Sequence, residues 1–272
     1  MPLDTAQIGV FGGSGFSSLL DDVEEVTVDT PWGPPSGPLH LGSVDGRAVA
    51  FLPRHGPGHR YPPHRINYRA NVWAMREVGV TSIFAPCAAG SLDPLVRPGD
   101  LVVCDQLVDR TTGREQTFFD GPVTNHVSFA DPYCSHLREV AIAAARSQDV
   151  PVHGSGTVVV IGGPRFSTRA ESAWYRNQGW EVINMTQYPE AFLARELGLC
   201  YATLALITDY DTGLEGMPGV EPVSQAEVFA FFEENLDRLR GVLFAAIGAT
   251  DLHACRSCAA ATNDLEPVPP SW

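Results

Sequence analysis

Residues 156–172, GTVVVIGGPRFSTRAES, decide the fold. The β-branched run Thr157 to Ile161 has the composition of a buried strand, and Gly162, Gly163 and Pro164 break it. Ser167 and Thr168 then stand where a helix needs its N-cap, ahead of a segment carrying Glu171 and Arg176. Two further segments repeat the pattern: Val182 to Asn184 ends on Met185 and Thr186, and Thr203 to Ile207 ends on Thr208, Asp209 and Asp211. Ligands in open α/β sheets sit at such strand ends. Three ends here supply an aromatic ring, a thioether, hydroxyls and two carboxylates, so the chain reads as α/β with a site at this edge.

Working outward, residues 8 to 11 read as a buried strand that enters Gly12-Gly13-Ser14-Gly15, a loop whose free amides suit a phosphate. The dinucleotide-binding fingerprint fails here, because Ser18 stands where its third glycine belongs and only a short FSSLLDD segment follows. Val26 to Val28, Leu39 to Leu41 and Val49 to Leu52 read as short antiparallel strands between Gly and Pro clusters. Helices are expected at 66–78, 135–147 and 187–197, and Ser224-x-x-Glu227 is a capping box opening a long amphipathic helix. Thr81 to Ala85 and 100–108 read as strands, the former leading into a small-residue loop at Cys87 to Ser91. Residues 109–133 form a long polar and aromatic loop, of the kind that is usually functional or interfacial.

The chain has 272 residues and a net charge of −14, which argues against a nucleic-acid partner, since that affinity comes mainly from basic side chains on phosphates. Its one dense basic cluster, Arg54 to Arg69, follows a strand end and suits an anion. The longest apolar runs are too short to span a bilayer and the N-terminus lacks a signal-peptide pattern, so no membrane partner and a cytoplasmic location are expected. One domain over 1–250 is expected, with a poorly ordered Cys- and Pro-containing tail over 251–272. Within that tail Cys255-x-x-Cys258, with at most His253 beside it, falls short of the four ligands of a closed zinc site and reads as a free or reversibly oxidised dithiol.

Several motifs, taken in order, resemble one family. They are Gly12-Gly13-Ser14-Gly15, Pro53-Arg54-His55-Gly56, Ala89-Gly90-Ser91-Leu92, Gly163-Pro164-Arg165-Phe166-Ser167, Asn184-Met185-Thr186 with Pro189-Glu190, and Thr208-Asp209-Tyr210-Asp211. Together they look like the S-methyl-5'-thioadenosine phosphorylases of the trimeric purine nucleoside phosphorylases. The resemblance implies a single-domain mixed β-sheet flanked by helices, a homotrimer, and attack of inorganic phosphate on a purine nucleoside with no metal or organic cofactor. It assigns phosphate to Ser14, Arg54, His55, Cys87, Ala88 and Thr186. It places Phe166 on the purine face, Met185 under the ribose, Ser167, Asp209 and Asp211 at the purine edge, and Asp209 as the general acid at N7. His126 would reach the adjacent subunit's 5' pocket, which Gln225, Val228 and Phe229 would line. The implied reaction turns 5'-methylthioadenosine into adenine and 5-methylthioribose 1-phosphate, the alternatives being adenosine, another 5'-deoxyadenosine analogue or 5'-methylthioinosine. Cys87 stands where the family often has threonine and Gln225 where it usually has valine.

Overall fold

The computed structural model describes residues 6–12, 21–214, 220, 223–253 and 255–268, so the glycine loop with Ser14 lies outside the described residues. The strands read at the decisive stretch are present: β9 is Thr157–Ile161, β10 is Val182–Asn184 and β11 is Cys200–Tyr210. They join β1 (Ile8–Gly12), β2 (Asp21–Val26), β3 (Leu39–Val44), β4 (Arg47–Pro53), β5 (Ser82–Ser91), β6 (Leu101–Val102), β7 (Gln106–Arg110) and β8 (Val152–His153). Among the described residues these form one mixed sheet, with β2-β3-β4-β1-β5-β10-β9-β7 as its main path and β11 pairing β5 and β6. The mixed sheet flanked by helices is the fold that the sequence led us to expect.

Both faces of the sheet are covered, which is why its central strands read as continuous apolar runs. On β11, Tyr201, Ala205 and Ile207 pack into one core with Met75 of α1 (Tyr68–Glu77) and Leu193 of α4 (Gln187–Glu196). Ala202, Leu204 and Leu206 point to the opposite core, against Leu137 of α2 (Ser135–Ser147) and Leu243 of α6 (Leu236–Ala249). The two-residue period of a strand makes that division. A third, smaller cluster packs Val159, Ile161 and Ile183 on Tyr175 of α3 (Arg169–Asn177). No helix among the described residues is long and apolar enough to cross a membrane.

Several local readings change. Residues 87–91 are not a loop: β5 continues to Ser91, and its small residues serve close packing instead, because a Cβ at Gly90 would stand 2.9 Å from Ile183 and 3.1 Å from an Asp209 carboxylate oxygen. The expected strand over 100–108 divides into β6 and β7, which pair different neighbours, with Asp105 accepting from the Gly156 amide at the break. The long helix after Ser224 divides at Asn235 into α5 (Gln225–Glu234) and α6. Beyond residue 250, the segment expected to be poorly ordered carries a one-turn helix, α7 (Ser257–Ala260), with Cys258 buried, and Asn125 bonds Glu266 through both its side-chain atoms. That part of the tail packs on the domain.

Candidate active site

The site forms where β5 changes partners. Its first residues, Ser82 to Phe84, pair β1, and its last, Gly90 and Ser91, pair β10, so residues 85–89 have no strand neighbour on that edge. Such a switch point opens a crevice at the strand ends. β1 and β4 run parallel with Gly12 beside Pro53, and the Arg54 amide donates to the Gly12 carbonyl at 3.0 Å. The start of the glycine loop and the basic cluster therefore emerge side by side next to Cys87 and Ala88.

On this side Arg54, His55, Cys87 and Thr186 each have a protein partner. Arg54, 3 % exposed, makes a bidentate pair with the fully buried Glu190 at 2.7 and 2.8 Å, and donates weakly to the Pro86 and Phe11 carbonyls at 3.3 Å. Of the five N–H groups of a guanidinium, these contacts use four. Tyr201 donates its hydroxyl to the same Glu190 at 2.8 Å. Burial opposes the charge on Arg54, yet the Glu190 carboxylate outweighs it and holds the pKa above its ordinary value. His55 donates from Nδ1 to the Tyr61 carbonyl at 2.9 Å and stacks on His59 at 4.0 Å. Burial, then His59 and Arg54, push its pKa down to about 3, so the ring is neutral at pH 7 and Nε2 carries a lone pair. Cys87 is buried between Thr203 (3.5 Å) and Gln187 (3.7 Å), and burial raises its thiol pKa. A neutral, occupied thiol is no nucleophile.

Asn184 joins this side to the sheet. Its Oδ1 accepts from the amides of Thr186 (2.7 Å) and Gln187 (2.9 Å) and from the Thr186 hydroxyl (3.3 Å), while Nδ2 donates to the Ala88 carbonyl (2.9 Å). One side chain thus sets the start of α4 against the open edge of β5.

The purine-side candidates are arranged differently. A bulge in the β5–β11 register at Thr208 brings Asp209 opposite Gly90 and Tyr210 opposite Ser91, and the Asp211 amide donates to the Ser91 carbonyl at 2.9 Å. Thr208 donates its hydroxyl to Asp209 Oδ1 at 2.7 Å. Burial raises the Asp209 pKa to about 6 against that hydrogen bond, with Asp211 adding to the rise. Asp211, 2 % exposed, is also raised by burial, tempered first by the Ser172 hydroxyl and then by the Thr212 amide. Asp211 Oδ2 and Ser167 Oγ are buried without a hydrogen-bond partner among the described residues. Native interiors rarely leave such atoms unpaired, and a functional site is one reason they do.

Met185 and Phe166 are half-buried beside this edge. Gly163 adopts φ +61°, and a Cβ there would stand 2.7 Å from Met185 Sδ, so glycine lets the Gly-Pro-Arg-Phe turn lie against the thioether. The capping box read at Thr168 and Glu171 opens α3, and Glu171 also holds Arg165 at 2.7 and 2.8 Å. Arg114, which the sequence reading did not single out, pins the long loop here: it donates to the carbonyls of Gly162 (2.9 Å), Met185 (2.8 Å) and Tyr188. Asn184 and Glu190 enter the sequence analysis only as motif residues; the contacts with Ala88 and Arg54 that tie them to the crevice span 96 and 136 residues, too far for local spacing to show.

The 5'-side candidates are open. Gln225 is exposed, Val228 is half-buried, and Phe229 is 45 % exposed with its ring edge-on to His59 at 5.3 Å. His126 is exposed on the long loop, and among the described residues it shares no hydrogen bond or ring contact with the rest of the site.

Residues 7–248 match the family model of the phosphorylase superfamily. The purine nucleoside phosphorylase of Streptomyces coelicolor is 56 % identical, covering 96 % of each chain. The S-methyl-5'-thioadenosine phosphorylase of Mycolicibacterium smegmatis is 53 % identical over 92 % of this chain and 94 % of its own. Among solved structures, methylthioadenosine phosphorylase from Schistosoma mansoni in complex with adenine superposes with a TM-score of 0.88 at 38 % identity, covering 95 % of this chain and 96 % of that one. A chain matched almost end to end by this family, with its motifs gathered at one switch-point crevice, belongs to the phosphorylase superfamily.

Proposed function

We propose that this protein catalyses the phosphorolysis of 5'-methylthioadenosine to adenine and 5-methylthioribose 1-phosphate. The observation that carries the reading is the pair of carboxyls at the end of β11, one half-buried with its pKa raised to about 6 and the other buried with an unpaired oxygen beside an unpaired serine hydroxyl. Asp209, protonated, gives its hydrogen to N7 of the leaving purine as the bond from the anomeric carbon to N9 breaks. Protonation offsets the charge that would build on the base, and a carboxyl with a pKa near 6 keeps a useful protonated fraction near neutrality. Asp211 Oδ2 and Ser167 Oγ face the amino edge. An acceptor suits a 6-amino hydrogen, whereas a 6-keto oxygen would oppose two acceptors at a cost of about 1–3 kcal/mol.

Phosphate sits in the switch-point crevice and forms the new bond to the anomeric carbon from the face opposite the purine. Arg54 contributes its remaining N–H, and Ser14, Cys87, Ala88 and Thr186 complete the cradle. His55, neutral with its lone pair on Nε2, accepts the hydrogen of monohydrogen phosphate. The anion beneath the ribose stabilises the cation-like sugar of the transition state. Met185 packs under the ribose and Phe166 on the purine face. Gln225 is exposed and turns to water, which leaves Val228 and Phe229 as the apolar wall for the methylthio group.

The 5' pocket is closed by a neighbouring chain in a homotrimer, to which the exposed His126 is delivered by the loop that Arg114 anchors. The enzyme is cytoplasmic and needs phosphate as co-substrate rather than a cofactor.

The test is release of free base from 5'-methylthioadenosine, adenosine, 5'-methylthioinosine and inosine, with and without phosphate, at concentrations where the mass in solution is also measured. Strict phosphate dependence, the highest kcat/KM on 5'-methylthioadenosine and a trimer are expected. Base release without phosphate would contradict the reaction, a preference for inosine the substrate, and full activity as a monomer the shared pocket.

A further inference from the structure

Four cysteines from three distant parts of the chain meet in the core that holds Leu137 of α2 and Leu243 of α6. Cys134 is the N-cap of α2, Cys200 is the first residue of β11, and Cys255 and Cys258 flank the start of α7. All four are free, and their sulfurs lie within 4.8 Å of one another. Three are buried and Cys255 is half-buried. His253, the third ligand considered from the sequence, is not in the cluster; the fold supplies two sulfurs from the domain instead.

Geometry distinguishes the chemistry. Four sulfurs at about 2.3 Å from a central zinc ion are about 3.8 Å apart at the corners of a tetrahedron. Mutual separations within 4.8 Å leave each sulfur a small movement from that arrangement. The Cys-x-x-Cys spacing is that of one half of a zinc knuckle, and the other half comes from residues held by helix and strand. A tetrathiolate around zinc carries two negative charges, and two features offset them: the N-terminus of α2, at which Cys134 is the N-cap, and Arg195 Nη1, 3.9 Å from Cys258 Sγ. The half-buried Cys255 leaves a way in for the ion.

We propose that Cys134, Cys200, Cys255 and Cys258 form a closed structural zinc site that staples the C-terminal segment to the domain. Cys200 and Asp209 stand nine residues apart on β11, about 30 Å along an extended strand, so the ion takes no part in phosphorolysis. Metal binding to such a site is folding free energy for the segment it closes.

The whole protein, purified reduced in the presence of zinc, should hold one zinc per chain and show four thiols that become reactive only after a chelator removes it. Cobalt(II) added to the chelated protein should give thiolate charge-transfer and tetrahedral ligand-field bands. Cys255→Ser, at the most accessible ligand, and Cys258→Ser should each lower zinc content at least about tenfold and lower the thermal midpoint. Protein without stoichiometric zinc that also gives no cobalt bands would overturn the proposal. So would a mass deficit showing disulfides among these four cysteines in freshly isolated protein.

Discussion

On the phosphate side Arg54, His55, Thr186 and Cys87 all have protein partners, and Arg54 is buried against an equally buried carboxylate. On the purine side, some of the polar atoms are just as buried but have none: Asp211 Oδ2 and Ser167 Oγ are unpaired, and burial raises the pKa of Asp209 to about 6. One region is preorganised by internal bonds, whereas the other keeps hydrogen-bonding capacity unused. On the proposed assignment, an anion meets a scaffold whose charge is already balanced, and a nucleobase meets groups whose desolvation cost was met on folding, so that it gains most of its pairing when it binds.

The largest effect expected from breaking this contrast is on the purine side. Asp209→Asn removes the proton donor without touching the crevice, so kcat/KM for 5'-methylthioadenosine should fall about 10²–10⁴-fold while the phosphate dependence changes little. Steady-state kinetics with each substrate varied in turn would show the split, and equal losses on both sides would erase the distinction.

On the phosphate side the expected loss is in stability. Glu190→Gln leaves the Arg54 guanidinium buried without its counter-charge, a change worth about 3–5 kcal/mol in other buried pairs. Denaturant unfolding should report that loss, and phosphate should restore more stability to the variant than to the wild type because it becomes the anion that Arg54 lacks. If the variant is as stable as the parent, the pair is not what organises the crevice.

Ser167→Ala is the smallest change and sharpens the comparison. Removing an unpaired hydroxyl should leave stability within about 0.5 kcal/mol of wild type, or above it, yet raise KM for the nucleoside about fivefold. A clear loss of stability instead would mean the hydroxyl is already paired within the protein.

Sequence alone made the purine edge easier to read than the phosphate side. Asp209 and Asp211 lie two residues apart after an apolar run, and Phe166 and Ser167 follow a Gly-Gly-Pro break, so local spacing reveals them. Arg54 and Glu190 are 136 residues apart, and no periodicity predicts which carboxylate a buried arginine will meet. The same limit hid Arg114, whose role is to hold carbonyls on two separate segments. Residues 87–91 misled for another reason: small residues commonly mark loops, and here they permit a strand to pass close beneath Ile183 and Asp209. The four cysteines are the extreme case, since their spacing in sequence reveals only one of the two pairs.

The central claim is that a half-buried, protonated Asp209 drives departure of the purine. Its folded pKa is raised from 3.8 to about 6, so the proton it must donate is present below that value and lost as pH rises through it. The direct measurement is kcat/KM for 5'-methylthioadenosine against pH, with phosphate saturating at every point, for the wild type and Asp209→Asn. The wild type should hold a plateau at low pH and decline above about pH 6, and the variant should lack that decline; the same descending limb in both would contradict the account.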